Sequence, residues 1–394
     1  MDQGGAFLEA IVEEPDDLTS RLAFADWLED SGNSDRAEFI RLQISRMSLR
    51  PTDPRYRSAL RRENDLLARH QTEWIGSQAR HSCRFRFHRG FIEEISIPID
   101  EFLAHGEALF RRSPIQRVHL REVNRLPLLL EEHPPLSQVL ARHLRHIRVL
   151  NLNHAHLNDA TGLCLLNLPE FPRLTALHLR QNCLSPAGVR IMADSPVIDN
   201  LTVLEFHSTS SARDILEPLL FSKRLTQLQH LSLSGLVHRF RIVPLLISSG
   251  ILSRLRSLAL AHVSLTAEDL EIVSEDPGAA NLESLDLSFN NLGERGVRAL
   301  NRFRHPDLLR FLNLSHTELG DDGAEEIAAS GLLEPLAGID LSMNQISDRG
   351  GRALASCGSS VSPESVDLIY NQISAEVEGA LRRRFGEEVC LFRR

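Results

Sequence analysis

Apolar positions recur along most of the chain as apolar-x-x-apolar-x-apolar-x-x-N-x-apolar. The pattern is clearest in Leu282-x-x-Leu285-x-Leu287-x-x-Asn290-x-Leu292 and in Leu174-x-x-Leu177-x-Leu179-x-x-Asn182-x-Leu184. The Asn slot falls at Ala155, Asn182, Thr209, Leu236, Val263, Asn290, Thr317, Asn344 and Asn371, eight intervals of 27 residues without slippage. A less regular copy runs Ile115-x-x-Val118-x-Leu120 with its slot at Val123, and another begins with Ile92-x-x-Ile95-x-Ile97. The alternating core of each copy has period two and predicts a short strand with its leucines facing inward. Gly188, Gly296, Gly323 and Gly350 stand six residues beyond the slot, followed by helical spacing such as Val297-x-x-Leu300. Each copy therefore reads as strand, turn and helix. One copy alone cannot bury its leucines; stacked copies can, with strands in one parallel sheet and helices on the opposite side. An Asn in the slot can bond backbone groups of adjacent turns, Thr209 and Thr317 can in part, and Ala155, Leu236 and Val263 cannot. The middle copies, over about 205–275, also lack the glycine and are expected to be the least regular.

Residues 1–75 lack this period. Asp16-Asp17 can cap a helix whose face is Leu18, Leu22, Ala25 and Leu28, with Gly32 as its stop. A second helix holds Ala37, Ile40, Leu42 and Ile44; Pro51-Thr52-Asp53-Pro54 breaks the chain; a third runs through Leu60, Leu66, Leu67 and Trp74. The expected division is a small helical domain over 1–78 and a repeat solenoid with N-terminal capping strands over 79–394. In the solenoid's first strand, Arg84-Phe85-Arg86-Phe87-His88-Arg89, the two phenylalanines are expected to face inward and cover the open leucine edge.

The repeat resembles the leucine-rich repeat family over roughly residues 115–385. It is most similar to the ribonuclease-inhibitor-like subclass, because each unit has room for a helix. The resemblance implies an α/β horseshoe solenoid, with a parallel concave sheet and convex helices, that binds another protein through its concave face. The stretch Leu22-Ala23-Phe24-Ala25-Asp26-Trp27-Leu28-Glu29-Asp30-Ser31-Gly32-Asn33, followed by Arg36-Ala37-Glu38-Phe39-Ile40-Arg41-Leu42-Gln43, resembles the bacterial repeat-companion domain. That likeness implies a bacterial, planctomycete-type source and brings no activity with it.

Composition narrows the function classes. Hydrophobic residues make up 42% and charged residues 25%, close to an average globular chain. The net charge of −9 argues against bulk attraction to nucleic acid or an anionic membrane. Lys223 is the only lysine, which leaves one candidate for chemistry that needs a lysine. The five cysteines are scattered without a C-x-x-C pair, the start lacks a basic signal segment, and no long uninterrupted apolar run occurs. These features predict a cytoplasmic protein with reduced thiols and no membrane span. The 17 histidines, including His154-x-His156, bring no completed ligand set by spacing, so neither metal nor cofactor is expected. Phosphate-binding, zinc-protease and nucleophile-elbow motifs are missing, and the chain is read as non-catalytic.

The expected binding surface is the outward positions of the strands with their rim. Early copies offer His119, Arg121, Asn153, His178, Arg180 and His207; late ones offer Asp286, Asn313, Asp340 and Asp367. Polarity thus runs from basic and histidine-rich to acidic. Phe289, Met343 and Tyr370 just beyond the strands, with Phe311 on the sheet, are expected to be exposed large side chains suited to an interaction hot spot. The expected partner is another protein, unnamed by the sequence, bound by a monomer. Two other readings stand beside it: a regulator of the GTPase-activating type, and nucleic-acid binding through the basic strip at 80–91.

Overall fold

The computed structural model describes residues 3–49, 53–76, 82–134, 136–166, 171–208, 213–235, 241–303, 306–358, 363–387 and 390–391. The slot positions Thr209 and Leu236 lie outside them. The chain divides into two compact units, Met1–His178 and Leu179–Arg394.

The first unit begins with four helices, α1 (Gln3–Glu13), α2 (Leu18–Asp30), α3 (Ser34–Arg46) and α4 (Pro54–Ile75). Helix α1 has no counterpart in the sequence reading. Asp17 caps α2 as expected, accepting from Thr19 N–H at 2.9 Å and Ser20 N–H at 3.0 Å. The buried face of α2 is Arg21, Phe24, Ala25 and Leu28; Leu22, expected inside, is 38% exposed. Arg21 takes the inner place because its charge is answered there. Its guanidinium lies 2.8 Å from Glu93 and donates to the Pro15 carbonyl at 2.6 Å. On α3 the buried side chains are Ala37, Phe39, Ile40 and Gln43, with Leu42 and Ile44 only half-buried.

Strand β1 (Arg84–His88) pairs antiparallel with β2 (Phe91–Pro98) and closes its free edge. Phe85 and Phe87 are half-buried, and Arg84 and Arg86 exposed. The Phe87 ring meets Phe39 of α3 edge-on at 5.5 Å, so it covers the helical core more than any leucine edge. Around it the Arg36 guanidinium lies 4.5 Å from the Trp74 ring and 5.4 Å from those of Phe39 and Phe87. Burial pulls its pKa down to about 9, and its partners are ring faces plus the Gly90 carbonyl at 2.6 Å.

After α5 (Ile99–Arg112), β3 (Arg117–Arg121), β4 (Val149–Asn151) and β5 (Ala176–Asn182) follow, β2 to β5 pairing in parallel and in chain order. The second unit carries β6 (Val203–Ser208), β7 (His230–Ser232), β8 (Ser257–Ala259), β9 (Ser284–Asp286), β10 (Phe311–Asn313), β11 (Gly338–Asp340), β12 (Ser365–Asp367) and β13 (Cys390–Leu391), β6 to β13 again pairing in parallel and in chain order. Helices follow most of these strands, for instance Ala267–Glu275, Gly293–Leu300, Gly320–Ser330 and Asp348–Ser356. The strands stack without a slip, so equivalent leucines form rows. Leu204, Leu231, Leu258, Leu285, Leu312, Ile339 and Val366 make one buried row, and Leu233, Leu260, Leu287, Leu314, Leu341 and Leu368 another. Each such side chain contributes about 1.5–3 kcal/mol by leaving water, but only because the next repeat covers it.

Polar ties run between repeats as well. Asn290 is 3% exposed; its Oδ1 accepts Val263 and Leu265 N–H at 3.1 and 2.9 Å, and its Nδ2 donates to the Leu260 carbonyl at 2.8 Å. Asn344 and Asn371 make the same set two and three repeats on. Asp321 in turn caps the following repeat's helix, accepting Ser347 N–H at 2.8 Å and Gly350 N–H at 3.0 Å. A Cβ at Gly350 would stand 2.7 Å from that carboxylate and 2.9 Å from Ala324, so glycine lets the two helices approach.

Candidate interaction surface

In the second unit the strand residues that face away from the leucine rows are half-buried at their edges and form an open face. Its late part is a groove of about 440 Å³ bounded by Ser284, Asp286, Phe311, Asn313, Gly338, Asp340 and Asp367. Phe311 is 57% exposed on β10. A Cβ at Gly338 of the next strand would lie 3.2 Å from its ring, so the glycine leaves the space over which the ring rests.

The acidic ladder has a backbone task. Oδ1 of Asp286, Asn313, Asp340 and Asp367 accepts the N–H two residues on, from Ser288, Ser315, Ser342 and Ile369, at 2.9–3.0 Å. These short-range bonds turn the chain out of each strand. In Asp286 and Asp340 the bond holds one carboxylate oxygen, and neither residue has an ion pair among the described residues. Ser315 and Ser342 hydroxyls join across the strands at 2.8 Å.

The turn then places the residue before each of the slots from Val263 to Asn371 in the left-handed region. His262, Phe289, His316, Met343 and Tyr370 have φ between 53° and 58°. Each sits just before an Asn-slot position. Side chains larger than glycine are disfavoured there, and the neighbouring turn holds them in place. The N–H of Phe289 donates to the Ser315 carbonyl, that of His316 to Ser342 and that of Met343 to Ile369, at 2.9–3.0 Å. Phe289, Met343 and Tyr370 are 48, 42 and 63% exposed. Phe289 stacks on His316 at 5.0 Å and meets His262 edge-on at 6.5 Å, so part of this ridge packs on itself.

The early, basic residues are differently placed. In the first unit the His119 ring donates through Nε2 to the Asn153 carbonyl at 3.1 Å, and its Nδ1 lies 3.2 Å from the Ser96 hydroxyl. Burial, and then the Arg121 charge, hold its pKa below the usual histidine range. Arg121 donates to the Ser82 carbonyl, and the carbonyl of His178 accepts Leu152 N–H at 2.9 Å. In the second unit Arg180 pairs with Glu205 at 3.1 Å and reaches the Ser232 hydroxyl at 3.3 Å, while the ring of His207 packs over Gly235. The positive end foreseen in the sequence is therefore largely answered within each unit, which the one-dimensional list of outward residues could not reveal. In the basic strip Arg86 and His88 face Glu94 at 3.4 and 3.5 Å, and Arg89 pairs with Glu93 at 2.6 Å. No group of three or more His, Cys, Asp or Glu suited to a metal occurs among the described residues. No helix among them is long and apolar enough to cross a membrane.

Comparison with known proteins agrees with the repeat. The Leucine Rich repeat family matches residues 278–300, 308–328 and 339–355, stretches that carry Phe289, Phe311, Asp340 and Met343. A search of curated proteins returns no match. Among solved structures, a chain of the Rad7 and Elc1 complex in yeast is similar at 15% identity, over 94% of this chain and 92% of that one, with a TM-score of 0.47. The internalin inlF from Listeria monocytogenes is similar at 14% identity, over 73% of this chain and 84% of that one, with a TM-score of 0.40. A chain of the TLR13–ssRNA13 complex is similar at 19% identity, over 73% of this chain and 38% of that one, with a TM-score of 0.39. The matched stretches and the strand, Asn-slot turn and helix that recur in step with them make this a leucine-rich-repeat protein.

Proposed function

We propose that this protein recognises a protein partner, without catalysing a reaction on it, through the late part of the second unit's sheet face and its ridge. The observation that carries this reading is Phe311, a large aromatic ring left 57% exposed at the centre of an acidic groove. Phe289, Met343 and Tyr370 flank it along the ridge, while Asp286, Asn313, Asp340 and Asp367 set the polarity. Aromatic and Met anchors would supply most of the affinity. The Asp286 and Asp340 carboxylates, without ion pairs among the described residues, would select a basic segment of the partner and speed its encounter. His119, Arg121, Asn153, His178, Arg180 and His207 contribute less in this reading, because the fold already uses their polar groups. The full helix in each 27-residue unit supports the ribonuclease-inhibitor-like subclass. In the same reading the chain divides near residues 78 and 79, with helices α1 to α4 before that point forming the repeat-companion domain.

Capture of partners from the protein's own cells tests this. Phe311→Ala with Tyr370→Ala is expected to lower capture at least about tenfold, equivalent to about 1.4 kcal/mol. Ile272→Ala, which alters an exposed residue on helix Ala267–Glu275, is expected to leave it unchanged. Equal capture by all three proteins would reject the groove as the binding site.

A further inference from the structure

The first unit holds a cavity of about 490 Å³ at the entry ends of β3, β4 and β5, walled on its other side by the end of α3 and by the turn after β1. Its volume is in the range of small-ligand sites. Backbone groups at the strand entries are already bonded. The Gln116 carbonyl accepts Arg148 and Val149 N–H at 2.8 and 3.0 Å, and the Arg148 carbonyl accepts Thr175 and Ala176 N–H at 2.9 and 3.0 Å. The remaining capacity lies in side chains.

Gln116 is 7% exposed, and its amide nitrogen has no hydrogen-bond partner among the described residues. Such a buried donor is costly unless something accepts from it. The contrast with Gln43 across the cavity is informative. That amide is as deeply buried, yet it donates to Glu63 at 2.7 Å and accepts Gly90 N–H at 2.7 Å. Charge points the same way. Arg46, Arg89, Arg117 and Arg148 line the cavity against only two carboxylates, Asp16 and Glu93. Arg148 pairs with Asp16 at 2.7 Å, Arg89 with Glu93 at 2.6 Å, and Arg46 turns to Glu63 at 3.0 Å. Arg117, exposed at the start of β3, has no ion pair among the described residues.

We propose that this cavity binds an oxyanion of the phosphate or phosphate-monoester type. Arg117 and Arg148 supply planar guanidinium forks, and the Gln116 nitrogen is a third donor. Three separate donors suit the three terminal oxygens of a phosphate group better than the two of a carboxylate. With Arg46 answered by Glu63, Arg89 by Glu93 and Arg148 by Asp16, the charge of Arg117 is the one left for the anion. This site is independent of the sheet-face reading.

Calorimetric titration of the full chain at pH 8 and constant ionic strength tests it, with inorganic phosphate, glycerol 3-phosphate and acetate as probes. Both phosphates, or one of them, are expected to bind in the millimolar range or tighter. Tighter binding of glycerol 3-phosphate assigns the site to an ester, and of inorganic phosphate to the free ion. Arg117→Ala is expected to weaken binding at least tenfold without lowering the phosphate-free melting temperature, Arg117→Lys to retain part of it, and Gln116→Met to weaken it. Arg125→Ala, paired with Asp100 outside the cavity, should not change it. No heat from either phosphate, equal binding of acetate, or undiminished binding by Arg117→Ala would overturn the proposal.

Discussion

Asn344 has no exposed surface and serves two repeats at once. Its side chain receives the N–H groups of Thr317 and Leu319 and donates to the Leu314 carbonyl. Replacement by alanine would leave those buried groups without partners, each costing about 1–3 kcal/mol where water cannot enter. We expect Asn344→Ala to destabilise the second unit by about 2–3 kcal/mol in urea denaturation, and Asn371→Ala, at a half-buried position, by less. Equal losses would show that burial is not what makes the slot matter. The slot was legible in the sequence because its 27-residue spacing survives every substitution at it. The acidic ladder was visible as residues and opaque as chemistry. Asp340 reads only as an outward binding position until its bond to the Ser342 N–H shows that it also shapes the turn. The inner face of α2 was read with Leu22 in place of Arg21 for a similar reason. An arginine on an inner helix face makes sense only once Glu93, far along the chain, is seen beside it.

At the scale of elements, sequence pattern located the strands well because their leucines alternate and repeat, and it located the helices less well where polar residues pack inside. Helix Leu136–Leu144 illustrates this. Its His143 is 3% exposed, stacked on Phe110 at 5.5 Å and edge-on to Phe102 of α5 at 5.6 Å, and its Nε2 has no hydrogen-bond partner among the described residues. Burial, reinforced by Arg142 and His146, lowers its pKa to about 4 from an ordinary 6.5. The unfolded chain therefore takes up this proton at higher pH than the folded one does. The stabilisation is complete above about pH 6.5 and is lost progressively as pH falls toward 4. Between pH 7 and pH 5 the first unit should lose about 2 kcal/mol on this account, at about 1.4 kcal/mol per pKa unit. His143→Phe should remove that part of the slope in urea titrations run at both pH values. An unchanged slope would mean that the imidazole is protonated in the folded state.

At the scale of the whole molecule, each of the two units is described by its own packing, and the second is a set of near-identical modules tied only to their neighbours. Such an array draws stability from interfaces between repeats, which leaves the outward strand positions and the left-handed ridge outside the leucine rows. Function is less legible than fold for that reason. Phe311 was readable as a large residue on a strand, but the groove beside it depends on Gly338 one repeat later, and the cavity around Gln116 gathers residues from separate parts of the first unit that share no motif. The central claim is that partner contact falls on the late strand face, and hydrogen exchange of the full chain with and without its captured partner tests it most directly. The account predicts new protection confined to 284–289, 311–316, 338–343 and 365–370, in steps of one repeat. Protection confined to the helices between those strands would contradict it.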